Sequence, residues 1–216
     1  MSGGLDRAAH TFWSHDRLRE MFSEFLVLDY SISRATTSLM EAAYSRACEL
    51  ADSDPVAASV AEYLTKHISE EMHHDDWLLS DLEAIGQTRE QVLGRLPSPN
   101  AAALVGAQYY WVFHAHPVSL LGYLAVMEGE PPSIAFLKEV MARTGLPADG
   151  FRTLMQHGYL DSQHTHDLND VLDGMPLNEQ QSALIGISAV QTIHGLRCAF
   201  EELLESGSRL ESVEQL

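Results

Sequence analysis

Two stretches of this 216-residue chain set carboxylates and imidazoles three and four residues apart, the spacing that gathers side chains on one face of a helix. The first is the run His67 to His74, HISEEMHH. On an ideal helix each residue advances about 100°, so the apolar stripe Val60, Leu64, Ile68, Leu78 and Leu82 fixes an inward direction. Against that stripe Glu71 lies about 20° off centre, His67 about 60° and His74 about 80°. His73 points to the opposite side and Glu70 well away, which leaves Glu71 and His74 as an inward ExxH. The second stretch, HGYLDSQH, puts His157, Asp161 and His164 within about 60° of one another on the face of Leu154, Leu160, Leu168, Val171 and Leu172. His166, two residues further on, falls on the far side. The third contributor is Glu128, in line with Leu121 and Leu124 and, ignoring the kink expected at Pro117, with Tyr110 and His114. Glu130 points the other way.

Burying such groups unpaired costs several kcal/mol for each charge. One compensation is a metal-free network of carboxylate–histidine hydrogen bonds, the natural reading of a lone inward group. Six groups on three helices favour metal. Carboxylate and imidazole together suit iron or manganese, whereas zinc more often recruits thiolates. Bundles build dinuclear sites from inward carboxylates and histidines, usually on paired ExxH motifs, and this chain has one.

The elements that must position these residues read as helices throughout. Sustained alternation and Asn-Gly turns are absent, while helix punctuation is frequent. Helices are expected at roughly 5–27 and 32–51, then from Asp54-Pro55 to Gly86, with a short one after the capping-box pair Thr88 and Gln91. A long helix over about 100–129 should kink at Pro117; others run from Ser133 to Thr144, from Ala148 to Asp173 and from Asn178 to near Gly207. The prediction is an all-α single bundle of seven to eight helices, one domain over residues 1–216 with a short polar tail from about 207.

Composition narrows the partners. Thirteen Lys+Arg against 31 Asp+Glu, a formal charge of −18, argues against nucleic acid or an anionic membrane. Stretches of about 18 apolar residues are not seen, and the start MSGGLDRAAHTFW has neither a basic opening nor an apolar run, so no span or signal peptide is expected. Cys48 and Cys198, far apart and inside helical patterns, read as buried thiols of a reducing cytoplasm.

Beyond these patterns, HISEEMHHDDWLLSDLEAIG, VGAQYYWVFHAHPVSLLGYLAVMEGEPP and HGYLDSQHTHDLNDVLDGMPLNEQQSALIGISAV resemble the iron-containing redox enzymes of the heme-oxygenase-like superfamily, the heme-oxygenase-like diiron oxidases and oxygenases, over roughly residues 20–205. The resemblance implies a heme-oxygenase-like fold and two Fe(II) per chain, one of them labile. Its ligands would be Glu71 and His74 from one helix, Glu128 from another, and His157, Asp161 and His164 from a third, the six that helical phasing also selects. Relatives often carry a glycine before the metal histidine, where this chain has His73. The implied activity is activation of dioxygen to oxidise a small amine- or carboxylate-bearing metabolite, by N-oxygenation, desaturation or C–C cleavage. The expected partners are O2 and that substrate, with a homodimer allowed. His67 and Asp75 are candidates to orient ligands, and Tyr110, His114 and His194 to line the pocket. Against this stand a metal-free enzyme on the same fold, thiaminase II-like or a cofactorless oxidase, heme oxygenase proper, and an iron-binding or ferroxidase bundle. Thiaminase II needs a nucleophilic cysteine, and neither cysteine adjoins the polar cluster in sequence; heme oxygenase needs one histidine and a basic rim.

Overall fold

Local signals set several helix starts. Asp54 accepts from the backbone N–H of Val56 at 2.8 Å and of Ala57 at 3.1 Å, with Pro55 at the first helical position. Thr88 and Gln91 close a capping box, and Ser98 and Ser133 each cap the helix that follows. The computed structural model describes residues 2–129 and 131–214, and all their side chains except those of Ser2, Asp161, Ser162 and 208–214.

The described residues form ten α-helices and no strand: α1 Ser2–Trp13, α2 Leu18–Leu50, α3 Pro55–Glu71, α4 His74–Ala84, α5 Arg89–Leu93, α6 Pro99–His114, α7 Leu120–Met127, α8 Ile134–Thr144, α9 Arg152–Gly174 and α10 Glu179–Glu214. Short 3₁₀ turns, Pro117–Ser119 and Ala148–Phe151, precede α7 and α9. The all-α bundle is as expected, with more helices than seven or eight.

The differences in boundary are physical. The expected break near residues 28–31 is absent: α2 runs unbroken for 33 residues, and the chain turns instead at 14–17. Its midpoint lacks glycine or proline, so nothing there terminates a helix. Pro117 breaks the expected long helix rather than kinking it, and α6 ends at His114. The expected tail after Gly207 continues α10 to Glu214. Within α10, Glu179–Gly207 is long and apolar enough to cross a membrane by length and composition, which the sequence reading had not anticipated. It packs against α1, α6 and α7. Gly122 of α7 permits the closest approach, because a Cβ there would overlap the carbonyl of Ile185. Cys48 is exposed and Cys198 half-buried, so the two thiols are not the core residues they were expected to be.

Two apolar cores fill the bundle. One gathers Leu39, Val60, Leu64, Leu120, Leu121 and Leu168; the other Phe22, Leu26, Leu78, Leu82, Phe151 and Leu154. Helices α2, α9 and α10 pass through both, and α3 and α4 meet end to end at the seam between them. Along α9, Leu154 belongs to one core and Leu168 to the other, with His157 and His164 between. Along α3 and α4, Leu64 and Leu78 likewise flank His67, Glu71 and His74. The polar cluster therefore sits at the junction of two hydrophobic masses.

Candidate metal centre

The ExxH is built across a helix break. α3 ends at Glu71, Met72 leaves the helical region, and His73 adopts the left-handed conformation with φ 74° before His74 starts α4. Glycine takes that conformation without steric cost, whereas a histidine there carries strain of about 1–3 kcal/mol. A glycine at position 73 would adopt it freely. The break aims His74 back at its neighbour, and His74 Nδ1 lies 2.8 Å from Glu71 Oε2.

α9 is uninterrupted, so His157 and His164 share a face as phased. His157 Nε2 approaches His74 Nδ1 at 3.1 Å. His164 is buried, its Nδ1 at 3.5 Å from both Glu71 Oε1 and Glu128 Oε2. Glu128 caps the end of α7, and its Oε1 lies 3.0 Å from His67 Nε2. Hence Glu71 reaches two groups at once: Oε2 meets His74 and, through it, His157, while Oε1 faces His164, which with His67 meets Glu128. The buried Glu128 Oε2 has no hydrogen bond.

Two framework contacts hold these helices in register. Buried Asp81 of α4 accepts from the backbone N–H of Thr153 at 2.7 Å, capping the start of α9 from the helix that carries His74. The other Asp54 oxygen meets His116 Nε2 at 3.0 Å, tying the start of α3 to the break before α7.

Electrostatics fix the protonation of the metal-free cluster. Burial raises the Glu71 carboxyl, but the hydrogen bond and charge of His74, with His157 and His67, outweigh it and keep Glu71 below the usual carboxylate range. Burial pushes His157 down to about 4, against the pull of Glu71, so its lone pair is available at neutral pH. Burial also pushes His67 down, yet Glu128 and the nearby Glu71 and Glu70 win and hold it above its ordinary value. The Tyr63 phenol, stacked on His67 at 5.1 Å, is pushed up by burial and the surrounding carboxylates.

A cavity of about 80 Å³ separates the cluster from α2, which supplies Asp29, Ser33, Thr36 and Thr37 to its wall. Sequence reasoning missed this polar stripe. Opposite it, an open cleft of about 550 Å³ between α3 and α9 reaches His67 and Glu70. Lys66, paired with Glu70 and Asp167, stands at its edge.

The Asp29 carboxyl, raised by burial and by the charge of Asp81 against a hydrogen bond from Ser33, is pushed up to about 7. Its folded value lies above its unfolded one, so the fold holds this proton up to about pH 7 while the unfolded chain releases it near 3.8. The stability it contributes is present below that lower value and is lost as pH rises between the two. Asp29→Asn in the metal-free protein should therefore gain roughly 2 kcal/mol on wild type between pH 4.5 and 8, with about 4 kcal/mol as the ceiling. Urea denaturation at both pH values measures this; a pH-independent difference would refute it.

Several expectations about neighbours need correction. Glu70 does not point away: its Oε2 lies 3.8 Å from His67 Nδ1 and 3.9 Å from His164 Nε2. Tyr110 and His114 are exposed and pack on each other at 5.0 Å, outside the site, because the break at Pro117 uncouples their helix from Glu128. His194 is exposed beside Arg197 and Cys198. Asp75 is half-buried in the first turn of α4. The Asp161 side chain lies outside the described residues.

Inward carboxylates and imidazoles on bundle helices recur in metal-binding proteins. The model of one family, described as iron-containing redox enzyme, matches residues 23–193, and the chain belongs to that family. No curated protein sequence matches it. Among solved structures, a domain of unknown function with a heme oxygenase-like fold from Shewanella denitrificans superposes with a TM-score of 0.80 at 16% identity, covering 95% of this chain and 86% of that one. A TenA homolog from Pseudomonas syringae pv. tomato gives 0.68 at 13%, covering 94% and 90%. A Cadd-like protein of unknown function from Nostoc punctiforme gives 0.68 at 16%, covering 87% and 83%. These likenesses establish a heme-oxygenase-like fold.

Proposed function

We propose that this protein is a non-heme diiron oxidase or oxygenase that activates O2 to oxidise a small amine- or carboxylate-bearing metabolite. One observation carries the reading: two ligand groups at the seam share the Glu71 carboxylate, with His74 and His157 on one side and His164, Glu128 and His67 on the other. The closest pairs, 2.8–3.1 Å apart, match the separation of about 3.0 Å between adjacent ligands of an ion bonded at about 2.1 Å. The donor set suits Fe(II), and the unbonded buried oxygen of Glu128 is what an ion would satisfy. Asp161, on the same helix as His157 and His164, completes the expected six.

Iron would supply the redox electrons and the Lewis acidity for O2 chemistry. The protein's own contribution is placement. The two apolar cores exclude bulk water, Glu71 stays ionised and His157 stays neutral at pH 7. The cavity beside α2 has room for O2 or a small polar head group, and the cleft between α3 and α9 is the approach for substrate. The TenA-like alternative has no thiol at the cluster, since neither Cys48 nor Cys198 lines the cavity beside α2 or the cleft between α3 and α9.

Anaerobic Fe(II) titration should approach two equivalents per chain, followed by O2 uptake that small amines or carboxylates accelerate. Failure to bind Fe(II) above the level of nonspecific sites would remove the diiron reading. Binding with O2 uptake indifferent to every candidate substrate would favour a ferroxidase.

A further inference from the structure

Resting on the diiron reading, we propose that His67 is a direct ligand of the second iron subsite and that Glu70 is its positioning residue, holding His67 and His164 from behind. The centre then stands on four imidazoles rather than the three the sequence motif supplies.

The argument is one of direction. His67 is 2% exposed, at the seam, and each of its nitrogens faces a carboxylate. Nε2 meets Glu128 Oε1 at 3.0 Å, the separation of adjacent ligands on one ion. His164 turns its Nδ1 to the other oxygen of the same Glu128. The two rings meet edge to face at 4.9 Å, so both present one nitrogen to Glu128. Their remaining nitrogens, Nδ1 of His67 and Nε2 of His164, converge on Glu70 Oε2 at 3.8 and 3.9 Å. A metal histidine commonly gives its outer N–H to a carboxylate, which fixes the tautomer and strengthens the inner nitrogen as a ligand. Here one carboxylate stands behind two imidazoles, and Lys66 Nζ anchors it at 3.3 Å.

His67, Glu70 and His164 can also be drawn as a separate three-ligand group, since one atom of each lies within 4.8 Å of the others. That arrangement spends the outer nitrogens on the ion. It would leave Glu128, with Oε1 at the inner nitrogen of His67 and its unbonded Oε2 facing that of His164, without a function.

A histidine that only donated a hydrogen bond to Glu128 could be replaced by glutamine. The test is anaerobic equilibrium dialysis against Fe(II), with folding monitored by far-UV circular dichroism. Wild type and the variants His67→Ala, His67→Gln and Glu70→Ala are compared. His67→Gln keeps an N–H donor of similar reach, so it decides the matter even where His67→Ala fails to fold. Under the proposal both His67 variants keep about one iron, and the second binds at least 100-fold more weakly. Glu70→Ala still takes two at saturation, the second about 10- to 100-fold more weakly. Pulsed EPR of the Mn(II)-loaded protein should show fewer coupled imidazole nitrogens in His67→Gln and an unchanged number in Glu70→Ala. His67→Gln binding both irons as wild type does would overturn the inference while leaving the diiron reading intact. Glu70→Ala losing the second iron as completely as His67→Gln would place the ion on the outer group and overturn it as well. Wild type binding fewer than two irons would sink the diiron reading, and this inference with it.

Discussion

His164→Ala should lose the second iron and at least 100-fold in substrate-dependent O2 consumption, while His166→Ala stays within about twofold of wild type. The two histidines are near neighbours on one helix, with the same chemistry and the same helix propensity. Only their direction differs. His164 is 4% exposed at the seam, with Nδ1 at 3.5 Å from both Glu71 and Glu128. His166 stands in solvent on the far face, 3.5 Å from Asp170, in the kind of exposed pair that contributes little. Removing the first withdraws a ligand from a buried ion and leaves two carboxylates facing each other undercompensated. Removing the second withdraws a surface charge. Iron content and O2 uptake measure both variants, and equal losses would mean that the cluster at the seam does not hold the metal.

How much of this was legible in the sequence depends on helix continuity. His157 and His164 share one face because Arg152–Gly174 is one helix, and a wheel drawn from Leu154 to Leu172 follows it without loss of phase. The same wheel put Glu70 well off the apolar stripe, and α3 alone phases it so; from that flank it still reaches His67 on the preceding turn and His164 of α9, while the break at His73 between α3 and α4 left no mark in the sequence. A glycine at 73 would have warned of the break; a histidine does not. Tyr110 and His114 failed because a phase drawn through Pro117 joins helices that are separate. The α2 wall of the cavity was invisible for a different reason. Ser and Thr in helices often satisfy themselves on the preceding turn, as Thr36 does on the Ile32 carbonyl at 3.0 Å, so Asp29, Ser33, Thr36 and Thr37 carry no distinct signal until the cavity is seen. The fold class needed none of this precision, because capping residues and the lack of alternation decide it locally. The site did, because a ligand set is a statement about which way a few side chains point.

Glu71→Ala should empty both subsites together, whereas His157→Ala should empty one. Of the described carboxylates, Glu71 alone places one oxygen against each group, Oε2 at 2.8 Å from His74 Nδ1 and Oε1 at 3.5 Å from His164 Nδ1. Glu128 instead directs both oxygens to the second group, at His67 and His164. Two divalent ions about 3.5–4 Å apart, the usual spacing of dinuclear sites, repel each other strongly in a site screened from water. A carboxylate shared between them offsets that repulsion for both, so its loss weakens the binding of each ion. His157 is neutral and faces only the first group, so its removal costs that group a ligand without altering the charge between the subsites. The expected iron contents are roughly 0.2 equivalents or fewer for Glu71→Ala and about one for His157→Ala, against about two for wild type. Glu71→Gln separates charge from shape: it preserves the side-chain volume and one acceptor oxygen but cannot neutralise two ions, and should resemble the alanine variant in iron content while keeping the stability of the apoprotein. Should Glu71→Ala retain one tightly held iron, the carboxylate is not shared, and the two groups are independent sites on a common wall.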